Sequence, residues 1–198
     1  MKHYLMRHPA VATTGRCIGQ SDIPLSEEGT TSLNDLVQAA RNASPDLIIS
    51  SDLRRCRELA EAVALQLGCP VLLDARWREI HFGVWENRSW DEIRRADEAG
   101  FDRWVLNFQH ESPPNGESFH DLLKRVAAAV EDLPRDQTAL VITHAGCFRA
   151  LACLLKITSP ERMFDWEVPY GALFALDLEN QLLVRQMTDE KPQPAFAC

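Results

Sequence analysis

The sequence predicts an α/β fold, a three-layer α/β/α sandwich with a mostly parallel central sheet and one antiparallel edge strand. Two observations lead to this prediction. Short apolar runs of strand length alternate with segments whose apolar residues recur at helical spacing, and such alternation is typical of parallel sheets covered on both faces. Near the end, two apolar runs at 172–178 and 182–187 follow each other without a helix, which predicts a closing hairpin with antiparallel pairing at one edge.

The predicted elements have recognisable starts and stops. Ser26 and Ser118 are predicted N-caps of the helices that follow them. Gly68 is predicted to end the helix that begins near Leu53. A last helix is predicted from about Cys147 to Leu155. The strands that precede the hairpin are predicted at 3–6, 46–50, 71–73 and 139–143.

The chain of 198 residues, 45% of them apolar, is predicted to form a single domain over 1–198. The segment 77–116 differs in character, since it holds four of the five tryptophans and the Pro113-Pro114-Asn115-Gly116 break. We expect it to be a helical excursion that forms a wall or a lid. The residues 188–198 contain two prolines and no periodicity, which predicts a flexible tail.

Charge and cysteine content exclude several classes of function. Lys and Arg number 21 and Asp and Glu number 29, and the resulting net charge of −8 argues against a nucleic-acid partner. A small anionic ligand remains compatible with it. No apolar run approaches a membrane span, and the charge at Arg7 comes too early for a signal peptide, so a cytoplasmic location is expected. The six cysteines form no C-x-x-C pair and are interpreted as reduced thiols. No metal site is expected, because the sequence has no cluster of Cys or His at ligand spacing. The acidic surface and the free thiols are compatible with a monomer or a homodimer.

Arginine and histidine side chains follow three of the predicted strands. Arg7 and His8 end the first strand, Arg54 and Arg55 lie shortly after the second, and His144 follows the strand at 139–143. Ligands of such sheets bind at the carboxyl ends of the strands. The segment from Arg78 to Glu86, which contains Glu79 and Glu86, offers a carboxyl group to the same area.

Each of these features also has an ordinary structural interpretation. An Arg-His pair usually lies on the surface without a functional role, and a pair such as Ser50-Ser51 is usually a helix cap. Glu79 is a candidate salt-bridge partner of Arg78 or Arg76. Their coincidence at strand ends favours chemistry instead. A neutral imidazole is a nucleophile, guanidinium groups match the charge of a phosphate ester, and a carboxylic acid protonates the departing alkoxide. The set predicts phosphoryl transfer through a covalent histidine, with a small phosphorylated metabolite as partner and with neither a metal nor a cofactor.

These residues resemble those of the histidine phosphatase superfamily, the phosphoglycerate-mutase-like fold. The motifs in order are Arg7-His8, Asp22 to Gly29, Ser51 to Cys56, Glu79 through Trp85-Glu86, Gly116-Glu117-Ser118, and Thr143-His144. The resemblance implies that His8 is the phosphorylated nucleophile and Glu79 the proton donor. It implies that Arg7, Arg55 and His144 bind the phosphoryl group. Gln20 and Ala145 are further candidates for substrate contact.

The chain departs from the family pattern at four positions. Pro9, Asn87 and Ala145 stand where glycine is frequent, and Thr14 stands where many members have an asparagine that contacts phosphate. Asparagine adopts positive φ more readily than most residues, so its replacement of glycine at position 87 is mild. The departures concern the detail of the pocket and leave the nucleophile in place.

The substrate prediction rests on one run of sequence. Residues 15–25 resemble the corresponding run of α-ribazole phosphatases of cobalamin biosynthesis, whose substrate is α-ribazole 5′-phosphate. The chain length favours a phosphatase over a mutase. The aromatic residues of the middle segment are candidates for a stacking wall, with helix packing as the alternative: Trp85, Trp90, Phe101, Trp104 and Phe108. Two further alternatives are a broad-specificity phosphatase of sugar phosphates or phosphoglycerate, and a phosphate-binding module without turnover.

Overall fold

A computed structural model describes residues 2–13 and 15–186, and its centre is a six-stranded sheet. The strands are Lys2–Arg7 (β1), Leu47–Ser50 (β2), Val71–Leu73 (β3), Ala139–Thr143 (β4), Leu173–Asp177 (β5) and Leu182–Arg185 (β6). The helices are Glu27–Thr31 (α1), Leu33–Asn42 (α2), Arg54–Leu67 (α3), Trp90–Ala96 (α4), Glu98–Asn107 (α5), Phe119–Glu131 (α6) and Ala145–Leu154 (α7). Short 3₁₀ helices lie at Ala75–Trp77, Gly83–Trp85 and Pro160–Asp165.

The strand order is β3-β2-β4-β1-β5-β6, and the first four strands of this order run parallel. β5 pairs antiparallel with β1, and β6 pairs antiparallel with β5. The predicted fold class is therefore confirmed. One detail differs, because the reversed strand β5 lies one position inside the edge and its hairpin partner β6 occupies the edge.

The sheet buries apolar side chains on both faces because neighbouring residues of a strand point to opposite sides. On one face, Leu5 and Val141 pack with Phe119 and Val126 of α6 and with Phe148 of α7. On the opposite face, side chains from the same strands pack against α2 and α3: Met6, Ile48, Leu140 and Ile142. The two clusters are the cores of the three-layer sandwich.

The helix boundaries follow the predicted signals closely. Ser26 and Ser118 accept backbone N–H bonds as N-caps, and Gly68 ends α3 with a φ of 70°. α7 begins two residues earlier than predicted, at Ala145, because His144 is its N-cap residue. Among the described residues, no helix combines the length and the apolar character that a bilayer span requires.

The segment 77–116 contains α4, α5 and the 3₁₀ helix Gly83–Trp85. It has a small core of its own, in which Cys17, Trp85 and Ile93 are buried. Its role as a wall or lid stays a prediction. The predicted flexible tail at 188–198 lies outside the described residues.

Candidate active site

Three parallel strands end side by side, and each is followed by a buried polar residue: His8 after β1, Ser51 after β2 and His144 after β4. The backbone ladder extends beyond the strands, since the His8 N–H donates to the Thr143 carbonyl and the Ser51 N–H donates to the Ile142 carbonyl, each at 3.0 Å. The backbone of this edge of the sheet is thus fixed up to the residues that bear the functional groups.

His8 is 5% exposed, and its Nδ1 lies 2.7 Å from the Pro9 carbonyl oxygen. Because a carbonyl only accepts, Nδ1 must donate the proton, and the lone pair of the neutral ring is then on Nε2. Burial, together with the charges of Arg7 and Arg55, holds the pKa of His8 well below the ordinary histidine value. The contact also explains how Pro9 is tolerated here, since the bond uses its carbonyl and not the N–H that proline lacks.

Arg55 is 1% exposed and has no carboxylate partner among the described residues. Its Nη1 and Nη2 donate to the carbonyls of Ser21 and Gly19, at 2.9 and 2.6 Å, and its Nε donates to Nδ1 of His144 at 3.2 Å. The neighbouring arginines of α3 differ, because the side chains of Arg54 and Arg57 are about half exposed and pair with Glu58 and Glu61. Burial therefore singles out Arg55 among the arginines of this helix.

His144 is fully buried, with its ring centroid 5.0 Å from that of His8. Since Nδ1 accepts from Arg55, Nε2 holds the proton and donates to Ser51 Oγ at 2.8 Å. Burial and the neighbouring Arg55 hold the pKa of His144 well below its ordinary value. Both ring nitrogens are thus engaged within the protein, and the sequence did not indicate that Ser51 fixes this ring.

Arg7 lies against the segment that leads into β5. Its Nη1 donates to the Val168 carbonyl, and its guanidinium carbon is 3.9 Å from the ring centroid of Tyr170. Its Nε is buried without a hydrogen-bond partner, which leaves one donor unused. Burial lowers the pKa of Arg7, while Tyr170 and Glu79 act in the opposite direction. Tyr170, whose ring is also 5.4 Å from that of His8, was missed because no motif marks it.

The Glu79 carboxylate accepts two backbone N–H bonds, from Ile80 at 2.9 Å and from Gly146 at 3.0 Å. A Cβ at position 146 would lie 1.9 Å from Glu79 Oε1, so glycine is required for this approach to α7. The salt bridges considered for Glu79 do not form. Arg78 pairs with Asp52, and Arg76 pairs with Asp74 and Asp132.

The other two carboxylates near the site have different partners. Glu86 accepts from the backbone N–H groups of Gly19, Gln20 and Ser21, and so fixes the loop whose carbonyls hold Arg55. Burial opposes its ionisation, but these bonds and the Ser21 hydroxyl hold the pKa of Glu86 below its ordinary value. Glu117 forms a two-point ion pair with Arg125. Glu79 is thus the one of the three that holds neither this loop nor an arginine.

The two residues predicted as further substrate contacts, Gln20 and Ala145, lie beside the site, but their side chains have partners within the protein. The Gln20 amide donates to the Glu79 carbonyl at 3.1 Å and accepts from Arg78 at 3.3 Å, so both of its ends are used within the protein. The Ala145 methyl group belongs to the core cluster that also contains Leu5, Val141 and Phe148. Only the backbone atoms of Ala145 are therefore left near the site. No described residues form a group of three or more potential metal ligands.

A family model, the histidine phosphatase superfamily (branch 1), matches residues 3–188. The chain belongs to this superfamily. Its members are phosphatases or mutases. A curated relative, the probable phosphoglycerate mutase GpmB of Escherichia coli, is 36% identical over 158 residues, covering 77% of this chain and 72% of its own.

Two solved structures extend the likeness of this histidine phosphatase. The α-ribazole phosphatase from Shigella flexneri superposes with a TM-score of 0.84 at 25% identity, covering 100% of both chains. A mycobacterial glucosyl-3-phosphoglycerate phosphatase superposes with a TM-score of 0.74 at 26% identity, covering 88% of each chain. The names of these three relatives refer to different phosphorylated substrates.

The aromatic side chains of the middle segment form one cluster. Trp90 stacks on Trp104 with centroids 5.8 Å apart, and Trp104 meets the edge of Trp85 at 5.2 Å. Trp85 is buried, as helix packing requires, whereas Trp90 is 40% exposed. Asn87, two residues after Trp85, has the positive φ of 64° that is expected where the family has glycine.

Arg149 of α7 is a further cation that sequence patterns did not reveal. It follows Gly146 by one helical turn, so it shares the helix face that contacts Glu79. Its Nε is buried without a hydrogen-bond partner, and its guanidinium carbon is 5.2 Å from the ring centroid of Phe164. No carboxylate pairs with it among the described residues.

Proposed function

We propose that this histidine phosphatase is a phosphomonoesterase that works through a phosphohistidine on His8. The observation that supports this most directly is the state of His8, neutral by burial with its free lone pair on Nε2. Two guanidinium groups without carboxylate partners, Arg7 and Arg55, lie close enough to influence its charge. They match the planar donors that a phosphoryl group requires.

The proposed reaction has two steps. In the first, Nε2 of His8 attacks phosphorus and the bond to the ester oxygen breaks, while Glu79 as a carboxylic acid protonates that oxygen. In the second, water attacks phosphorus, the Glu79 carboxylate accepts a water proton, and the phosphorus–nitrogen bond breaks. Phosphate leaves and His8 returns to its neutral form. His144 fixes Nε of Arg55, which orients the phosphate site.

The charge of the phosphoryl group is met by protein side chains in this proposal. Because Arg7 and Arg55 supply that charge, turnover requires no divalent ion. We expect the rate of phosphate release to be unchanged in EDTA. Loss of activity in EDTA, restored by Mg²⁺ or Zn²⁺, would contradict this assignment.

For the substrate we propose α-ribazole 5′-phosphate, a monoester with an aromatic base. The full-length similarity to an α-ribazole phosphatase supports it, as does the 15–25 run. The half-exposed Trp90 offers an aromatic face for such a base. In addition, Phe82 lies against Gly19, whose carbonyl holds Arg55, so the aromatic cluster adjoins the phosphate site.

One observation favours a second candidate, a monoester with an additional anionic group such as a phosphoglycerate. Arg149 is a cation without a carboxylate partner on the helix face that contacts Glu79. The names of the GpmB and glucosyl-3-phosphoglycerate phosphatase relatives point in the same direction.

A substrate screen with two variants distinguishes the candidates. We would measure kcat/KM for α-ribazole 5′-phosphate, 3-phosphoglycerate and an aryl phosphate, on the wild type, Trp90→Ala and Arg149→Met. If the base-bearing ester is the substrate, it gives the highest value, and Trp90→Ala lowers that value selectively. A preference for phosphoglycerate that Arg149→Met removes would support the second candidate. Absence of phosphate release from every ester would indicate a binding module.

A further inference from the structure

Arg125 of α6 is a partly buried arginine whose five guanidinium hydrogens all form hydrogen bonds. Its Nη1 donates to the carbonyls of Arg76 and Arg78, at 2.8 and 2.7 Å. Its Nη2 donates to the carbonyl of Glu79 at 2.9 Å and to Glu117 at 2.9 Å, and its Nε donates to Glu117 at 2.7 Å. Three of these five bonds end on the short segment that contains Glu79.

Glu117 holds the same segment from the other side. Its carboxylate accepts the His81 N–H at 2.9 Å, and its own N–H donates to the His81 carbonyl at 2.8 Å. The preceding Gly116 lies so close that a Cβ there would be 2.5 Å from the His81 carbonyl oxygen. The Gly116-Glu117-Ser118 motif thereby has a physical role, since it brings α6 against the segment 76–81.

Glu79 itself needs such support from outside its own segment. Its carboxylate is held by backbone N–H groups alone, and the segment 78–82 has no helix or strand to fix it. A carboxyl group that must protonate a leaving oxygen has to stay within hydrogen-bond reach of it. Small displacements of such a group cost large factors in rate.

We infer that Arg125, held by Glu117, is a positioning residue for Glu79. It fixes the carbonyls on either side of the Glu79 side chain, so that the carboxyl group stays at the N-terminus of α7 and above the phosphoryl site. The inference rests on the proposed function, because it assigns Arg125 to the proton-donating step. It predicts that loss of the Arg125 bonds harms esters with poor leaving groups more than esters with good ones.

The test compares kcat/KM for an alkyl phosphate, glycerol 1-phosphate, with that for an aryl phosphate, p-nitrophenyl phosphate. Arg125→Lys retains the charge but has three donors on one nitrogen, so it cannot reach three carbonyls and Glu117 together. We expect it to lower the alkyl value about 10- to 100-fold, the range of a poorly placed acid, and to leave the aryl value within about threefold.

Arg76→Lys is the matched control. Arg76 also joins this segment to α6, through Asp132 and the Ala128 carbonyl, but none of its bonds involves residues 78–81. We expect it to leave the alkyl-to-aryl ratio within about twofold of the wild type. If Arg125→Lys does not fold, Glu117→Gln replaces it, because this change removes the ionic partner of Arg125 and keeps the side-chain shape.

A double variant separates positioning from general stability. Arg125→Lys combined with Glu79→Gln should be no worse on the alkyl ester than Glu79→Gln alone, because both changes affect one step. Equal losses on both esters, or losses that multiply in the double variant, would overturn the inference and leave Arg125 a purely structural residue. If instead the wild type hydrolyses neither ester, the proposed function itself fails. If Glu79→Gln changes both esters alike, the proton-donating role proposed for Glu79 fails, and the positioning role of Arg125 fails with it.

A measurement that does not depend on catalysis distinguishes failure of the positioning role from failure of the proposed function. Hydrogen exchange of the Ile80 and Gly146 amides reports directly on the bonds to the Glu79 carboxylate. We expect Arg125→Lys to accelerate exchange at both amides, and Arg76→Lys to leave both unchanged. Unchanged exchange in Arg125→Lys would overturn the positioning role whatever the enzyme does with esters.

Discussion

The two ends of the site are built in different ways. At the proposed phosphoryl end, His8, Arg55 and His144 are almost completely buried. His8 and His144 directly follow the strands β1 and β4, and the hydrogen-bond ladder of the sheet extends to the backbone of His8. At the acid end, Glu79 is only partly buried and lies in a segment without helix or strand, held by α6 and the start of α7. The phosphoryl end is fixed by the sheet, whereas the acid end is fixed by hydrogen bonds that involve side chains.

Under the proposed function, this difference separates two tasks, that of His8 as nucleophile and that of Glu79 as proton donor. The nucleophile and the phosphate site must be dry and immobile, because buried donors act on developing charge without reorganisation. The proton donor must meet leaving groups of different shapes, and a segment held by a few hydrogen bonds allows its surroundings to vary while the sheet stays the same. Changes at the phosphoryl end should therefore affect all esters, and changes at the acid end should depend on the leaving group.

The largest effect is expected for His8→Ala. No other side chain at the end of β1 replaces the nucleophile, so activity on aryl and alkyl esters should fall by on the order of 10⁴-fold or more. The acid-labile phosphoenzyme seen after rapid quenching should disappear. His120→Ala, which changes an exposed histidine, is the control and should keep both signals. A phosphoenzyme that persists in His8→Ala would move the nucleophile elsewhere.

Arg55→Lys should come next. The change keeps the charge but loses the planar fork that reaches Gly19, Ser21 and His144, so we expect both esters to lose on the order of 10²- to 10³-fold in kcat. Arg57→Lys, at a partly exposed position of the same helix that is paired with Glu61, is the matched control. An Arg55→Lys enzyme within threefold of the wild type would place Arg55 outside the phosphate site.

Glu79→Gln should lower the activity on the two kinds of ester to different extents. Its loss should be about 10²-fold on an alkyl ester, whose alkoxide needs a proton, and only a few-fold on an aryl ester, whose phenolate leaves unaided. The measurement is the ratio of the two kcat/KM values. An unchanged ratio would remove Glu79 from the proton-donating role and leave Glu86 or Glu117 to be tested.

The smallest effect concerns stability and pH. The pKa values of His8 and His144 are well below the ordinary value of about 6.5, so below that pH the unfolded chain binds protons that the folded protein does not. The free energy of unfolding should therefore be highest above pH 6.5 and fall as the pH decreases, by up to about 1.4 kcal/mol per pH unit for each histidine.

Urea denaturation at pH 7.0 and pH 5.5 measures this dependence. The free energy of unfolding should fall less in His144→Gln than in the wild type. The difference is the contribution of one histidine, roughly 1 kcal/mol over this interval. At the acid end, the lowered pKa values of Glu86 and Glu117 keep both carboxylates charged throughout the window, so Glu117→Gln should leave the slope unchanged. A slope that His144→Gln does not alter would contradict the buried neutral state.

The sequence predicted the phosphoryl end better than the acid end, for a physical reason. Parallel strands must end at one edge of the sheet, so His8, Arg55 and His144 were expected together as soon as the strands were recognised. Their chemical roles stay predictions. The sequence placed a carboxyl group of the segment 78–86 near them, but only the family motif selected Glu79, because nothing local fixes this segment.

Other contacts depend on packing that no local pattern reveals. Tyr170 reaches Arg7 only because β5 pairs with β1 across most of the chain length. Ser51 had the appearance of a helix cap, and its bond to His144 follows from the adjacency of β2 and β4. Arg125 lies on an amphipathic helix, where a lone arginine usually faces solvent.

The bond from His8 to the Pro9 carbonyl also bears on the lifetime of the intermediate. Once Nε2 is bonded to phosphorus, a proton that stays on Nδ1 makes the ring an imidazolium, and a cationic ring departs from phosphorus far more easily than an imidazolide anion. In the proposed cycle the Pro9 carbonyl holds that proton at 2.7 Å. The same acceptor that directs the lone pair for attack then keeps the phosphohistidine labile towards water, so one backbone oxygen assists both half-reactions.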